Sequence, residues 1–317
     1  MTYRSTSNDV FSDGSMVRKV FGIWGVSVLI GARSLMLQAL HSVSLAGLLK
    51  DTTGLGDAEA RARRTQLAME TIYWGTWDEA RKVTDRIYRI HTHINGQVGP
   101  NAGSVTADTR YDALDKRLQQ WIIASIIDSA IAVYELFQGR LTDVEKDQFV
   151  REYATVASLF GVPASHQWTT YRQFKSYMDS MYATLGQTGG DPYTQLEITP
   201  ENRDLVLKLV MDPGNALVDV PQWHRAVNAV LPPHVREAFG LTCTAADAQA
   251  FSGVVKLAKA GIAMGRAAET AANLWERGLT FNPLTRWTVP VFRVAKEAIY
   301  NTLHGPILYQ RGYLDRR

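Results

Sequence analysis

The chain has 317 residues, 46% hydrophobic and 21% charged, a composition that suits a globular protein with a sizeable core. Its 34 basic and 31 acidic residues leave a net charge of only +3, and the densest basic stretch is Arg61-Ala-Arg63-Arg64, which argues against a nucleic-acid partner. The one cysteine, Cys243, can form neither an internal disulfide nor a redox pair, so nothing demands an oxidising compartment, and it reads as a small buried hydrophobe.

Residues 1–14 are polar and are expected to form a flexible N-terminus, with helix starting near Ser15. The apolar run Val20 to Ala32 follows Arg18 and Lys19, as in a signal peptide, but it is shorter than the roughly 20 residues of a membrane span. Arg33 ends the run and Leu35 to Leu49 continues in helical rhythm, so the expectation is a core helix pair or one bent helix, in a cytoplasmic protein without a membrane span. Asp51 to Asp57, with two glycines, breaks the pattern. Helix resumes over Ala58 to Tyr73, stops at Gly75, and starts again near Trp77 to end at Gly96. Gln97 to Thr109 reads as a loop.

Tyr111 to Leu141 reads as one long helix, apolar on nearly every side between Trp121 and Phe137, as befits the middle of a protein. Thr142 and Glu145 form a capping box that opens a helix to Phe160, and Gly161 with Pro163 stops it. Further helices are expected at 168–186, 199–212, 220–230, 233–239, 244–276 and 287–303. Strand patterns are scarce and no linker divides the chain, so the expected architecture is all-α, with residues 15–317 as a single multi-helix domain.

Two clusters carry candidate chemistry. In the 77–96 helix, Trp77, Ala80, Val83, Ile87, Ile90 and Ile94 step by threes and fours, and His91 falls on that stripe while His93 points elsewhere. A buried imidazole needs partners for its nitrogens: an iron ion can take one and a carbonyl or carboxylate the other, or the residue is an ordinary core histidine. No spacing of the kind that holds zinc or covalent haem is present. In the 58–73 helix, Arg61, Arg64 and Thr65 share a face with Ala68 and Ile72. Guanidinium groups aimed at an apolar side call for anions, such as haem propionates, whereas a solvated face paired with Asp57 and Glu59 calls for none.

Taken in chain order, these pieces resemble the MpaB oxygenases and the rubber oxygenase, or latex clearing protein. Ile30-Gly-Ala-Arg-Ser-Leu-Met-Leu-Gln-Ala-Leu-His41 is similar to the family's GGPRALLLQLAHP segment, and Arg61-Ala-Arg-Arg-Thr65 to its RxxRT or RxxKT element. His91-Thr-His-Ile-Asn-Gly96 looks like HxxVxG, and Tyr111-Asp-Ala-Leu-Asp-Lys-Arg-Leu-Gln-Gln-Trp121 like YxAxDPxLLxW. Glu152 with Phe160-Gly-Val-Pro163 looks like E…LLGVP, and Leu231-Pro-Pro-His-Val-Arg236 with Gly240-Leu241 like LLPxxLRxxxGL. The resemblance spans about residues 25–245.

It implies a globin-like helical core around one non-covalent haem b, with His91 as the proximal iron ligand. Arg61, Arg64 and Thr65 would lie at the distal side or at the propionates, as catalytic and cofactor-binding residues. His41 is either a pocket residue or a capping residue. The implied activity is oxygenation of apolar substrates by O2 or peroxide, here a small hydrophobic metabolite, as in the tailoring of a natural product. Departures stand beside these matches. Arg64 replaces a lysine of the rubber oxygenase, and arginine is a poor iron ligand because it stays protonated. Ile123 stands where many relatives carry the histidine of WVHA, His41-Ser42 replaces HP, and Ser42 to Leu49 holds no acidic residue that matches the rubber oxygenase's base. Trp121, Ile122, Ile126 and Tyr134 are wall or core, and Trp168, Tyr171, Tyr177 and Tyr182 are spaced as packing. The competing readings are a haem sensor or carrier without turnover and a haem-free helical binding protein.

Overall fold

A computed structural model describes residues 7–22, 26–50, 58–100, 103–211, 223–249, 251–253, 255, 256 and 259. Two compact units divide the chain, residues 4–248, and residues 1–3 with 249–317. In the second unit the described positions are helical, with Phe251 and Val255 buried, and the helix expected at 287–303 lies outside the described residues.

Among the described residues, the regular structure of the first unit is helical apart from one small hairpin. Its helices are α1 (Met16–Phe21), α2 (Val26–Ala39), α3 (Ser42–Lys50), α4 (Ala58–Trp74), α5 (Trp77–His91), α6 (Lys116–Gln138), α7 (Asp143–Leu159), α8 (Tyr171–Tyr182), α9 (Pro200–Met211), α10 (Trp223–Val230) and α11 (Pro233–Ala238). Strands β1 (Asn95–Gln97) and β2 (Arg110–Asp112) pair antiparallel, with Gly96 opposite Tyr111. The all-α expectation holds.

The core is built on α6. Asp115 caps it by accepting from the amides of Arg117 and Leu118, which starts the helix at Lys116 and leaves Tyr111 to the hairpin. By length and composition α6 is apolar enough to cross a membrane, but most of it is buried, with α2 along its length and α1 and α7 beside it. Helices α6 and α2 pack together, and Trp121 and Ile127 of the one and Met36 and Leu37 of the other are each no more than 1% exposed. Burying a side chain of that size stabilises the fold by about 1.5–3 kcal/mol. The expected bend between α2 and α3 is real, at 113°. The capping box at Thr142 and Glu145 forms as expected. Gly161 closes α7 at φ +77°, where a side chain would be strained, and the Val162 amide reaches back to the Ala157 carbonyl.

Three expectations need correction. The N-terminal residues 7–14 are fixed: Arg18, on buried α1, directs its guanidinium to Asp9 (2.8 Å) and Asp13 (2.9 Å) and to the Tyr73 carbonyl. A cation buried to that degree needs carboxylates, and it draws the polar segment onto the fold. The Trp77 amide donates to the Asn8 carbonyl and the Val10 amide to the Gly75 carbonyl. The helix from Trp77 stops at His91 and not at Gly96, because the chain turns there into β1. The long helix begins at Lys116 and not at Tyr111.

Candidate functional site

Helices α4 and α5 meet at a tight corner, Gly75-Thr76, and the candidate residues lie on these two helices. A second capping box opens α5: Thr76 accepts from the Glu79 amide, and the Glu79 carboxylate accepts from the Thr76 amide and hydroxyl. Next to the corner both helices are tightly covered. Ile72 and Ala80 are 0% exposed, and Tyr73 and Thr84 are buried.

Away from the corner the cover falls off. Ala80, Thr84, Ile87 and His91 lie within about 60° of one another around α5 at 3.6 residues per turn. Along that stripe burial passes from complete at Ala80 to half at Ile87 and His91. Tyr88 is 55% and Ile90 49% exposed. On α4 the face that is sealed at Ile72 is half-covered at Ala68 and exposed at Arg64 and Thr65. The side chain of Arg61 lies outside the described residues. His91 is thus on the stripe that the periodicity assigns to it. His91, Arg64 and Thr65 all lie in the parts of the two helices remote from their corner.

Beyond His91 the chain is fastened quickly. The Ile94 amide donates to the His91 carbonyl at 3.0 Å, and the Ile94 carbonyl accepts from the Ala113 amide at 3.0 Å. Ile94 then packs on the cluster of Val43, Val105, Tyr111 and Leu118, which brings α3 up to the hairpin. Gly47 of α3 is small where it must be: a Cβ there would lie 3.4 Å from the Tyr111 ring and 3.9 Å from Ile94.

His41 is placed as a cap. It is 0% exposed; its Nε2–H donates to the Tyr193 carbonyl (3.1 Å), and its Nδ1 accepts from the Ser44 amide (3.4 Å) at the start of α3. The carbonyl can only accept, which sets the tautomer. Burial holds the imidazole below the ordinary histidine range, against the opposing pull of the Tyr193 carbonyl and of Asp115 and Asp191. Of the two readings of His41, the geometry is that of the cap.

The residues named as wall or core are packing: Trp121 is 0% and Tyr134 5% exposed, and Ile122 and Ile126 are half-buried. Ile123 lines a void of about 10 Å³ with Ile127, Val150, Ala154, Ala157 and Trp168. Trp168 packs on Tyr177 (4.9 Å) and Phe174 (5.3 Å), and Tyr182 meets Trp121 edge-on and the ring of His234 at 4.3 Å. Sequence reasoning missed the clasp beside them. Arg33 bonds to Asp128 (2.7 Å), the Ser129 hydroxyl (2.8 Å) and the Val230 carbonyl (2.8 Å), tying α2, α6 and α10. The signal was available, since Asp128 is the only charge between Trp121 and Tyr134.

Among the described residues no group of three or more His, Cys, Asp or Glu can hold a bare metal ion. An iron in a macrocycle asks less of the protein: one axial imidazole, an apolar wall and cations for its carboxylates. His91 with Ile87, and Arg64, are the corresponding groups at this end of α4 and α5, whereas Arg86 and Arg89 lie on the opposite face of α5. The half-covered stripe around His91 and the exposed Arg64 fit such a group.

A family model described as ER-bound oxygenase mpaB/B'/Rubber oxygenase, catalytic domain, matches residues 18–260. No curated protein and no solved structure matches the chain.

Proposed function

The chain belongs to the mpaB/B'/rubber oxygenase catalytic-domain family, an oxygenase family, and from that premise we propose that it is a haem b-dependent oxygenase of a small hydrophobic metabolite. The observation that carries the cofactor is the place of His91: on the inward stripe of α5, at the open end of a face that is sealed at Ala80 and Thr84 and half-covered from Ile87 on. A packing histidine would be expected to be covered like Ala80 and Thr84.

In this reading the His91 imidazole would hold the iron. Arg64 and Thr65 would donate hydrogen bonds to the haem carboxylates or to a bound oxidant, and Arg61 would join them by its place in the motif. Ile87 and Ile90 supply apolar surface. When bound, the haem supplies activation of O2 or peroxide, which no side chain here performs. Arg64 stays protonated and does not compete for the iron, in contrast to a lysine at that position. A fixed cation beside a reacting oxygen stabilises developing negative charge there. His41 belongs to the frame, holding the start of α3.

The test is an ultraviolet–visible spectrum of the purified, haem-reconstituted protein beside His91→Ala. A Soret band whose position and affinity depend on His91 supports the reading. No Soret band in the wild type, or one unchanged in His91→Ala, overturns it. Reversible O2 binding without oxidation of any hydrophobic substrate would favour the sensor or carrier.

A further inference from the structure

We infer that Gly47 is a positioning residue for His91, holding open the contact through which α3 sets the turn that follows that histidine; this rests on the reading of His91 as the iron ligand. Ile94 and Tyr111 are the two side chains nearest Gly47, with a Cβ at 47 meeting the Tyr111 ring at 3.4 and 3.7 Å and Ile94 Cγ2 at 3.9 Å. These same two residues fasten the chain after His91. Ile94 closes the last turn through its amide on the His91 carbonyl, and its own carbonyl is held by the Ala113 amide. Tyr111 stands opposite Gly96 in the β ladder. Displacing either moves an anchor of the turn that carries the imidazole, at Ile94 three residues and at Gly96 five residues beyond the ligand.

The distances grade the substitutions. A single methyl at 47 sits at ordinary contact distance, so Gly47→Ala fits, and in mid-helix it removes the conformational cost of glycine. A leucine puts further carbons where the Tyr111 ring and Ile94 already are, in an interior that does not yield easily. Groups that orient a metal ligand from behind matter to the metal: their loss weakens binding about 10- to 100-fold. Gly31 in α2 is the control, a helical glycine around which a Cβ meets nothing within 4 Å.

The experiment titrates haem into the full-length wild type, Gly47→Ala, Gly47→Leu, Gly31→Leu and the double variant Gly47→Leu/Ile94→Ala, and records affinity, ferric and ferrous spectra and melting temperature. The expected result is wild-type affinity and spectrum for Gly47→Ala and Gly31→Leu. Gly47→Leu folds, binds haem about 10- to 100-fold more weakly with a shifted ligand-field spectrum, and regains affinity when Ile94→Ala reopens the space. A folded Gly47→Leu with unchanged affinity and spectrum overturns the inference and leaves the haem reading standing. A wild type that takes up no haem overturns both. Should Gly47→Leu fail to fold, the smaller Gly47→Val decides: a folded variant with weakened haem affinity and a shifted spectrum supports the inference, and wild-type affinity and spectrum overturn it.

Discussion

His41 is the residue whose loss the structure prices most directly. His41→Ala strands two part-buried groups: the Ser44 amide, which loses its cap acceptor, and the Tyr193 carbonyl, which loses the imidazole donor. Loss of a cap is worth about 1 kcal/mol, and a part-buried carbonyl left without its donor about 1 kcal/mol, the low end for a stranded group. The vacated imidazole volume adds a cavity term, so the expected total is about 2–4 kcal/mol, a large share of a typical 5–15 kcal/mol stability. His41→Asn keeps a cap acceptor and should lose about half as much. The effect also depends on pH. Burial depresses the His41 pKa in the folded chain, so the unfolded chain takes up a proton first as the medium is acidified. The stability tied to the neutral ring is therefore present above the ordinary value of about 6.5 and shrinks as pH falls below it towards the depressed folded value. Protonation would turn the Nδ1 acceptor into a donor facing the Ser44 amide. Urea unfolding at neutral and mildly acid pH measures both parts. A loss under about 1 kcal/mol for His41→Ala, or an acid slope in His41→Asn equal to that of the wild type, would refute the reasoning.

Asp128→Ala should cost about 2–4 kcal/mol by leaving the Arg33 guanidinium without its carboxylate, somewhat less than for a fully buried pair because Asp128 is 21% exposed. Arg33→Met/Asp128→Leu should recover much of that loss in denaturant titration, and an additive double variant would show that the pair is not coupled. Gly161→Ala should lower stability by about 1 kcal/mol, since its φ of +77° strains any side chain, and an unchanged melting temperature would contradict this. The Glu145 carboxyl is held down at about 2 by the Lys19 ammonium first and by the Thr142 amide and hydroxyl next. Its contribution to stability is present above the ordinary carboxylate range and fades as pH falls towards 2. Titration of Lys19→Met by NMR should show Glu145 moving up but stopping short of the unperturbed value, because the Thr142 bonds remain.

Much of the fold was legible because its signals are local. The Thr142–Glu145 box, Gly161 and the steps of three and four in α5 each act within a few residues, and each appears where the pattern puts it. What escaped was decided across the chain. Nothing in a three-residue strand such as Asn95–Gln97 betrays a hairpin, because its partner lies fifteen residues on. Arg18 is a surface cation by type, and only the approach of Asp9, Asp13 and the Tyr73 carbonyl lets it be buried. The start of α6 has a different cause: Asp115 fits the helical pattern by position, but its side chain caps the two amides that follow and so begins the helix at Lys116. Within the site, the stripe position of His91 follows from spacing alone, whereas its half-exposure depends on how far the helices packed on α5, α4 and α7, cover it.

That difference separates what folds this unit from what it does. At the α4–α5 corner each residue type answers a structural demand: Thr76 and Glu79 close a capping box, Ala80 lets the helices approach, and Thr84 bonds back to the Ala80 carbonyl. Farther out, packing makes no such demand. An exposed helical position accepts any good helix former, and at Thr65 the fold gains little from a β-branched hydroxyl residue of lower helix propensity. Ile90 is worse than neutral there, an apolar side chain 49% exposed beside an imidazole. A ligand with an apolar body, negative edges and a demand for one nitrogen donor gives all of these residues a purpose at once. The weak cover at this end is then a condition of binding, because a stripe sealed like Ala80 and Thr84 would leave nothing for a cofactor to bury. A bound group would draw on the same apolar surface that drives folding, so its affinity should register as added stability that grows with the logarithm of its excess over the dissociation constant.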